Sequence, residues 1–478
     1  MVTVLAYDLG ASNGRLTAQS FDGERLMLKE VHRFINEPLK QGDHFYWDYN
    51  NLIHELQQGL KLAEGLQAQS IGIDTWGVDF GCIDEAGAII QNPYSYRDTQ
   101  SLPFVNRIQD KISHYELYQR TGIEISSINT LFQLMAIEHH NEQLLKNCNS
   151  ILLMPNLLLY ALSGVALNEF TIASTTQLVQ LESKNWDQSL IQKVFTNELK
   201  LAPIGETHQV VGALTQYPHI KVVLVPGHDT ACALSALPID EPSSIFISLG
   251  TWGLIGMELE RPVVTKEAFE RGFTNEGTSE KTIRFQKNAT GFWILQKLRS
   301  EWKNSGVTLT YEQESQAFKE TKPFQAIINP VADAFFNPSN MENAITEFCK
   351  TTNQVVPLTK GEFIRCFTES LALYYATVID EIEQTTGKKA NTVFIGGGGT
   401  QNELLCQQIA NACGKRVVVG PVEASSIGNG LSQLRALGEI ANVAQGREIV
   451  KASFEVKQYE PQQVEIWHAM KEKYNFLF

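Results

Sequence analysis

The residues Gly227, His228, Asp229 and Thr230 follow the apolar run KVVLVP and precede the helix-like run ACALSAL. A carboxylate at such a strand end can act as a general base. It would accept a hydroxyl proton as that oxygen attacks a phosphoryl group. His228 and Thr230 would then hydrogen-bond the same substrate. A helix cap is the competing use for Asp229.

Four further groups carry chemistry. Asp8 ends an apolar run and is followed by Gly10 to Arg15, a glycine hairpin whose amides can face phosphate oxygens while Asp8 holds a Mg²⁺-bound water. Asp74, Trp76, Gly77 and Asp79 interrupt the run IGIDTWGVDF. Carboxylates, an indole face and a glycine suit a sugar pocket, and charges in an apolar run are costly without a purpose. Asn288 and Gln296 flank Gly291 in KNATGFWILQ and could reach a ligand. Gly396 to Gly399 form four consecutive glycines between a strand-like and a helix-like run, more than a turn requires. Neither the GxxxxGK[ST] phosphate loop nor the GxGxxG dinucleotide fingerprint fits there, because residue 401 is Gln.

The elements that must position these groups can be read from periodicity. Residues 2–7 form a buried strand, and the turns at Asn13-Gly14 and Asp22-Gly23 predict a three-stranded meander reaching about residue 34. A helix is expected over about 48–64, capped by Asp48 or Asn50 and stopped by Gly65. A strand is expected over 70–80 and helix over most of 103–165. Thr359 and Glu362 make a capping box for a long helix ending at Gly387. The hairpin pattern around Gly10 recurs around Gly250, an offset of 240 in 478 residues. That spacing implies an internal duplication and an α/β chain of two halves, 1–240 and 241–478, joined near Pro238–Pro242.

Composition limits the alternatives. The chain has 39 basic and 53 acidic residues, a net charge of −14, which argues against nucleic-acid binding through a broad basic face. A few glycine amides can still cradle ATP in an acidic protein. Seven cysteines without a CxxC pair fit a reduced, cytoplasmic chain rather than a disulfide framework or a zinc ribbon. The opening MVTVLAYDLG is not expected to be a signal peptide, and no run of about 18 apolar residues predicts a membrane span.

With DLGASNGR (8–15), IGIDTWGVDF (71–80), YRD (96–98), GHDTA (227–231), SLGTW (248–252), KNATGFW (287–293), GGGGTQN (396–402) and GPVEAS (420–425), the chain resembles the FGGY carbohydrate kinases. Within them it is similar to the branch acting on L-rhamnulose. The likeness runs through nearly the whole chain. It implies two duplicated ribonuclease-H-like domains of the actin and hexokinase type with a central cleft. It also implies transfer of the ATP γ-phosphate to O1 of L-rhamnulose with Mg²⁺.

By motif, the resemblance makes Asp229 the proton acceptor. It puts Gly77, His228, Thr230 and Asn288 on the sugar, where Asp74 and Trp76 join them from the pocket reading. Ala11, Ser12, Asn13, Gly14, Arg15, Thr251, Gln296 and Gly398 fall on ATP, and Asp8 lies near the metal. The expected partner is a small sugar, with no nucleic acid or membrane, in a monomer or homodimer. Another ketose such as L-fuculose, or a non-catalytic nucleotide-binding sensor on the same fold, would carry many of these features.

Overall fold

The computed structural model describes residues 1–478, which form two compact units. The first comprises Met1–Ala236, Leu259–Phe285 and Glu423–Phe454; the second comprises Leu237–Glu258, Gln286–Val422 and Glu455–Phe478. Each unit therefore draws on non-consecutive stretches of chain.

The meander appears in the first unit as β1 (Val2–Leu9), β2 (Asn13–Phe21) and β3 (Leu26–Ile35). Val4 to Leu9 are all buried, as a central strand covered on both faces must be, whereas β3 alternates towards solvent. Helix α1 (Tyr49–Leu62) starts at the predicted cap, with Asp48 accepting from the Asn51 amide. Next come β4 (Ser70–Thr75), β5 (Gln209–Ala213), β6 (Lys221–Leu224) and α2 (Asp229–Ala236). The sheet order is β5-β6-β4-β1-β2-β3. The register places Asp8 opposite Arg15 on β2 and opposite Asp74 on β4.

The second unit repeats this plan. Strands β7 (Ile245–Leu249) and β8 (Trp252–Leu259) form the hairpin around Gly250, and β9 (Ile283–Thr290), whose residues up to Phe285 belong to the first unit and whose remainder belongs to the second, lies beside β8. Helix α3 (Lys360–Thr386) carries both bonds of the predicted capping box, and Gly387 closes it at φ 68°. Strands β10 (Thr392–Gly396), β11 (Arg416–Val419) and β12 (Lys457–Tyr459) continue the order as β9-β8-β7-β10-β11-β12, with the strand Thr274–Gly277 as a seventh at the β9 edge. In both units a hairpin strand is followed by two parallel neighbours, β4 and β6 beside β1, β10 and β11 beside β7. The 240-residue repeat is thus visible as topology.

Two stretches depart from the sequence-based expectation. The strand over 70–80 breaks into β4 and a separate strand Phe80–Ile83, with Val78 between them at φ 67°. Residues 103–165 are not continuous helix; they hold several short helices and the strand Ser150–Leu153. All seven cysteines are free thiols, and no helix is long and apolar enough to cross a membrane.

The run of small residues after Gly420 acquires a packing reason. In the first unit the helix Ala424–Ala436 lies on the buried sheet, and its polar side chains bond strand groups directly. Asn429 donates to Asp74 at 2.6 Å, Gln433 to the Leu5 carbonyl at 2.8 Å, and Thr17 pairs with Ser426 at 2.6 Å. A Cβ on Gly428 would lie 1.8 Å from the Cys232 carbonyl oxygen, a backbone atom of α2 that cannot swing aside. Gly428→Ala is expected to destabilise the chain by about 1–3 kcal/mol through overpacking. Urea denaturation checks this, and an unchanged midpoint contradicts it.

Candidate active site

The turn Pro226–Asp229 is fixed through its backbone. The Gly227 N–H donates to Glu169 Oε2 at 2.8 Å, and its carbonyl accepts from the Thr75 N–H at 2.9 Å. The His228 N–H donates to Thr171 Oγ1 at 3.3 Å. A side chain on Gly227 would meet Ile172 at 2.9 Å, so glycine is required for the close approach. Glu169 is buried and also caps the short helix Phe170–Ala173, accepting from the Thr171 and Ile172 amides.

From this turn project three of the predicted residues. Asp229 opens α2 with its side chain one-third exposed. Crowding by protein atoms raises its pKa above the usual carboxylate value. His228 works against that shift, and the Asp8 charge adds to it. Thr230 is buried and donates to Asp229 Oδ1 at 3.1 Å. His228 Nε2 lies 3.5 Å from the same oxygen. Gly77 joins them, because a Cβ there would stand 3.4 Å from His228 Nε2. A reachable carboxylate with a raised pKa, faced by an imidazole and a bare glycine, can take a proton from a bound hydroxyl.

Asp74 and Trp76 stand behind this surface. Asp74 is fully buried, with Oδ1 bonded to Asn429 and Oδ2 without a partner. Burial first, and the Asp8 charge next, push its pKa well above the usual range, which favours the protonated acid. Trp76 is 6% exposed, and its indole N–H donates to Asp79 Oδ2 at 2.9 Å. Asp74 therefore presents no surface to a ligand, and the polar edge of Trp76 is already engaged.

Asp79 organises that wall. It has no exposed surface, and it accepts from Trp47 Nε1 at 2.6 Å, Gln133 Nε2 at 2.9 Å and the Tyr96 N–H at 3.1 Å as well as from Trp76. The two indoles pack with ring centroids 4.2 Å apart. The left-handed Val78 beside it is held by Thr130 and Thr175, which bond its carbonyl and N–H.

The first glycine loop also lies in this unit. Gly10 donates to the Asn13 carbonyl at 2.8 Å, and Asn36 donates to the Gly10 carbonyl at 2.9 Å. Ser12 and Asn13 are exposed and Ala11 is half-buried. Gly14 is buried where a Cβ would lie 2.3 Å from the Phe34 ring, so its bareness serves packing. Arg15 Nη2 bonds Asp8 Oδ2 at 2.7 Å, and its other terminal nitrogen pairs with Glu423. Burial opposes the Arg15 charge, but Asp8 and Glu423 outweigh it and raise the pKa. No group of three or more His, Cys, Asp or Glu side chains is arranged to hold a metal ion. Mg²⁺ typically needs only one or two carboxylates beside nucleotide phosphates and water; Asp8, 7% exposed with Oδ2 on Arg15, is the carboxylate at the foot of this loop.

The second unit carries the remaining predicted residues. Thr251, Asn288, Gln296 and Gly398 are all exposed. The hairpin loop is tied to the start of the helix Trp293–Asn304: Phe292 N–H donates to the Gly250 carbonyl at 2.9 Å and Gly291 N–H to the Thr251 carbonyl at 3.1 Å. In the glycine run, Gly397 adopts φ 91° and a Cβ on Gly399 would strike Leu249 at 2.3 Å. Gly398 has nothing within 4 Å of its Cβ position. Two of the four glycines thus answer to the fold, and Gly398 is bare in open space, as a phosphate-contacting position would be.

Sequence reasoning missed Glu169, Thr171, Val78, Glu276 and Arg284. Glu276 Oε2 lies 3.3 Å from His228 Nδ1, and Arg284 bonds both. The sequence signal for Arg284 was a cation set between Ile283 and Phe285 in strand β9, which is costly when buried unless paired.

Two family models cover the chain. The N-terminal domain of the FGGY family of carbohydrate kinases matches residues 3–234, and its C-terminal domain matches 245–437. The rhamnulokinase of Bacteroides thetaiotaomicron is 38% identical over 473 residues, 97% of each chain. That of Bacillus subtilis is 35% identical over 469 residues, 96% of each chain. Among solved structures, a ligand-bound xylulose kinase from Lactobacillus acidophilus superposes with TM-score 0.82 at 13% identity, covering 100% of this chain and 98% of that one. Plasmodium falciparum glycerol kinase with ADP gives TM-score 0.80 at 15% identity, covering 100% and 97%.

The burial of Asp79 makes a stability prediction. Its pKa rises to about 6, mainly through burial, with the hydrogen bonds from Trp47, Gln133 and Trp76 opposing. A folded pKa above the unfolded one means the native state holds the extra proton between about pH 4 and 6. Stability is therefore expected to fall across that window as pH rises, by at most about 3 kcal/mol. Asp79→Asn should remove this part of the slope. Denaturation from pH 4 to 7 checks it, and identical slopes in both proteins contradict it.

Proposed function

The chain belongs to the FGGY family of carbohydrate kinases, and from that premise we propose that it phosphorylates O1 of L-rhamnulose with Mg-ATP, giving L-rhamnulose 1-phosphate and ADP. The observation that carries the reaction type is the clamped turn at Gly227, which presents Asp229 with a raised pKa beside His228 and Gly77. The similarity to rhamnulokinases over nearly the whole chain supports the choice of sugar.

Asp229 takes the O1 proton as O1 bonds to the γ-phosphorus and the bridge to the β-phosphate breaks. His228, Gly77, Thr230 and Asn288 line the sugar subsite; Thr230 acts mainly by holding Asp229 Oδ1. Amides of Ala11, Ser12, Asn13 and Gly14 serve the phosphates on the first unit, as do Thr251, Gln296 and Gly398 on the second. Arg15 holds Asp8 and neutralises part of the local negative charge. Mg²⁺ bound with the nucleotide supplies phosphate charge neutralisation, and Asp8 is the residue that would hold it. Residues 1–240 thus carry the base, the Gly77, His228 and Thr230 contacts and the first phosphate loop, and 241–478 carry Asn288 and the main nucleotide contacts. The use of ATP and the lack of a CxxC pair support a cytoplasmic location.

ADP release should require L-rhamnulose, exceed that with L-fuculose, L-ribulose or D-xylulose, and fall about 10²–10⁴-fold in Asp229→Asn with nucleotide affinity retained. Near-normal turnover in that variant removes Asp229 as the base, and preference for another ketose moves the sugar assignment alone. Gly398→Val is expected to fold normally, since its Cβ meets nothing, and to weaken nucleotide binding. Calorimetric titration with ADP checks this, and unchanged affinity takes Gly398 out of the site.

A further inference from the structure

Glu276, Arg284, His228 and Asp229 form one connected line in the first unit. Arg284 is fully buried. Its Nε donates to the Gly277 carbonyl at 3.0 Å. Its Nη2 lies 2.7 Å from Glu276 Oε2 and 3.0 Å from His228 Nδ1. Nη2 carries two hydrogens, and these two acceptors use both. A guanidinium has no lone pair to offer and can only donate. His228 Nδ1 must therefore present a lone pair to it. A proton on Nδ1 would point at an arginine N–H across 3.0 Å. Glu276 Oε2, 3.3 Å from Nδ1, could accept such a proton only with loss of the Arg284 Nη2–Nδ1 bond.

A neutral imidazole with a bare Nδ1 carries its hydrogen on Nε2. That nitrogen faces the chemistry: it is 3.5 Å from Asp229 Oδ1 and 3.4 Å from the Cβ position of Gly77. The gap to Asp229 is too long for a strong hydrogen bond, so the N–H is available to a substrate oxygen.

We propose that Arg284 is a positioning residue for phosphoryl transfer, locking His228 as the Nε2–H tautomer so that its imidazole is a fixed hydrogen-bond donor beside Asp229. The proposal rests on reading Asp229 as the base. It has two chemical consequences. His228 reads a lone pair on the sugar, from a carbonyl oxygen or from a hydroxyl acting as acceptor. It also cannot relay the proton, because Nε2 is already occupied. The proton released from the acceptor hydroxyl stays on Asp229 until it passes to solvent.

The test needs no activity at first. In the chain labelled with ¹⁵N-histidine, long-range ¹H–¹⁵N correlation at neutral pH should show His228, assigned by its loss in His228→Gln, with unprotonated Nδ1 and protonated Nε2. A proton on Nδ1, alone or together with one on Nε2, overturns the proposal, and this result stands even where the Arg284 and Glu276 variants fail to fold. Arg284→Met combined with Glu276→Gln, which removes the charge left behind, should mix the tautomers. It should lower kcat by roughly 10- to 100-fold, the loss typical when a partner orienting a functional imidazole is removed, with KM for ATP unchanged. In a His228→Gln background, whose amide donates without tautomers, the same pair of substitutions should cost little more. An equal loss in both backgrounds marks Arg284 as merely structural and rejects the proposal. Normal turnover in Asp229→Asn would instead reject the base and leave the tautomer result standing.

Discussion

Gly227 is held by both of its backbone groups, and the site follows from that clamp. Its N–H goes to a buried glutamate and its carbonyl to the end of β4. The chain must turn from strand to helix within four residues there, Val225 to His228, and it projects His228 and Asp229 from the turn. Anchoring through the backbone leaves both side chains available for chemistry. It also ties the turn that carries Asp229 to Thr75, and so to the loop that carries Gly77.

Charge is sorted in the same small region. Asp8, Asp74 and Asp229 influence one another electrostatically, and one arginine is paired among them. Three ionised carboxylates so placed would repel strongly. Arg15 neutralises Asp8; Asp74 is buried against Asn429 and favours its protonated form; Asp229 stays partly exposed with a raised pKa. Asp74 and Asp229 both have raised pKa values, and of the two only Asp229 reaches the surface. Asp79 shows the contrasting use of a buried carboxylate, with four donors holding two tryptophans in place.

Much of this was legible in the residues. The capping box at Thr359 and Glu362, the hairpins around Gly10 and Gly250 and the turn at 227–230 are local signals, and local signals determine local structure. The run 70–80 misled because its apolar pattern hid Val78, a β-branched residue in the left-handed region that only tertiary hydrogen bonds sustain. Asp74 and Trp76 looked like pocket residues because their types suit sugars, but register and burial turn them inward. Glu276 falls in the run FTNEG (273–277), which does not mark its role, and Arg284 left no motif. They lie eight positions apart on different strands, and only the fold brings them to His228. The four glycines read as one ligand loop, yet they divide between backbone conformation, packing and open space.

The central claim is transfer of the γ-phosphoryl group to one oxygen of one sugar. Phosphorus-31 NMR of the purified chain with Mg-ATP and L-rhamnulose labelled with ¹³C at C1 tests it directly. The account predicts a new phosphomonoester resonance split by coupling to the labelled carbon, growing as ADP appears. An ester resonance without that splitting, or ADP formed with inorganic phosphate alone, would contradict it.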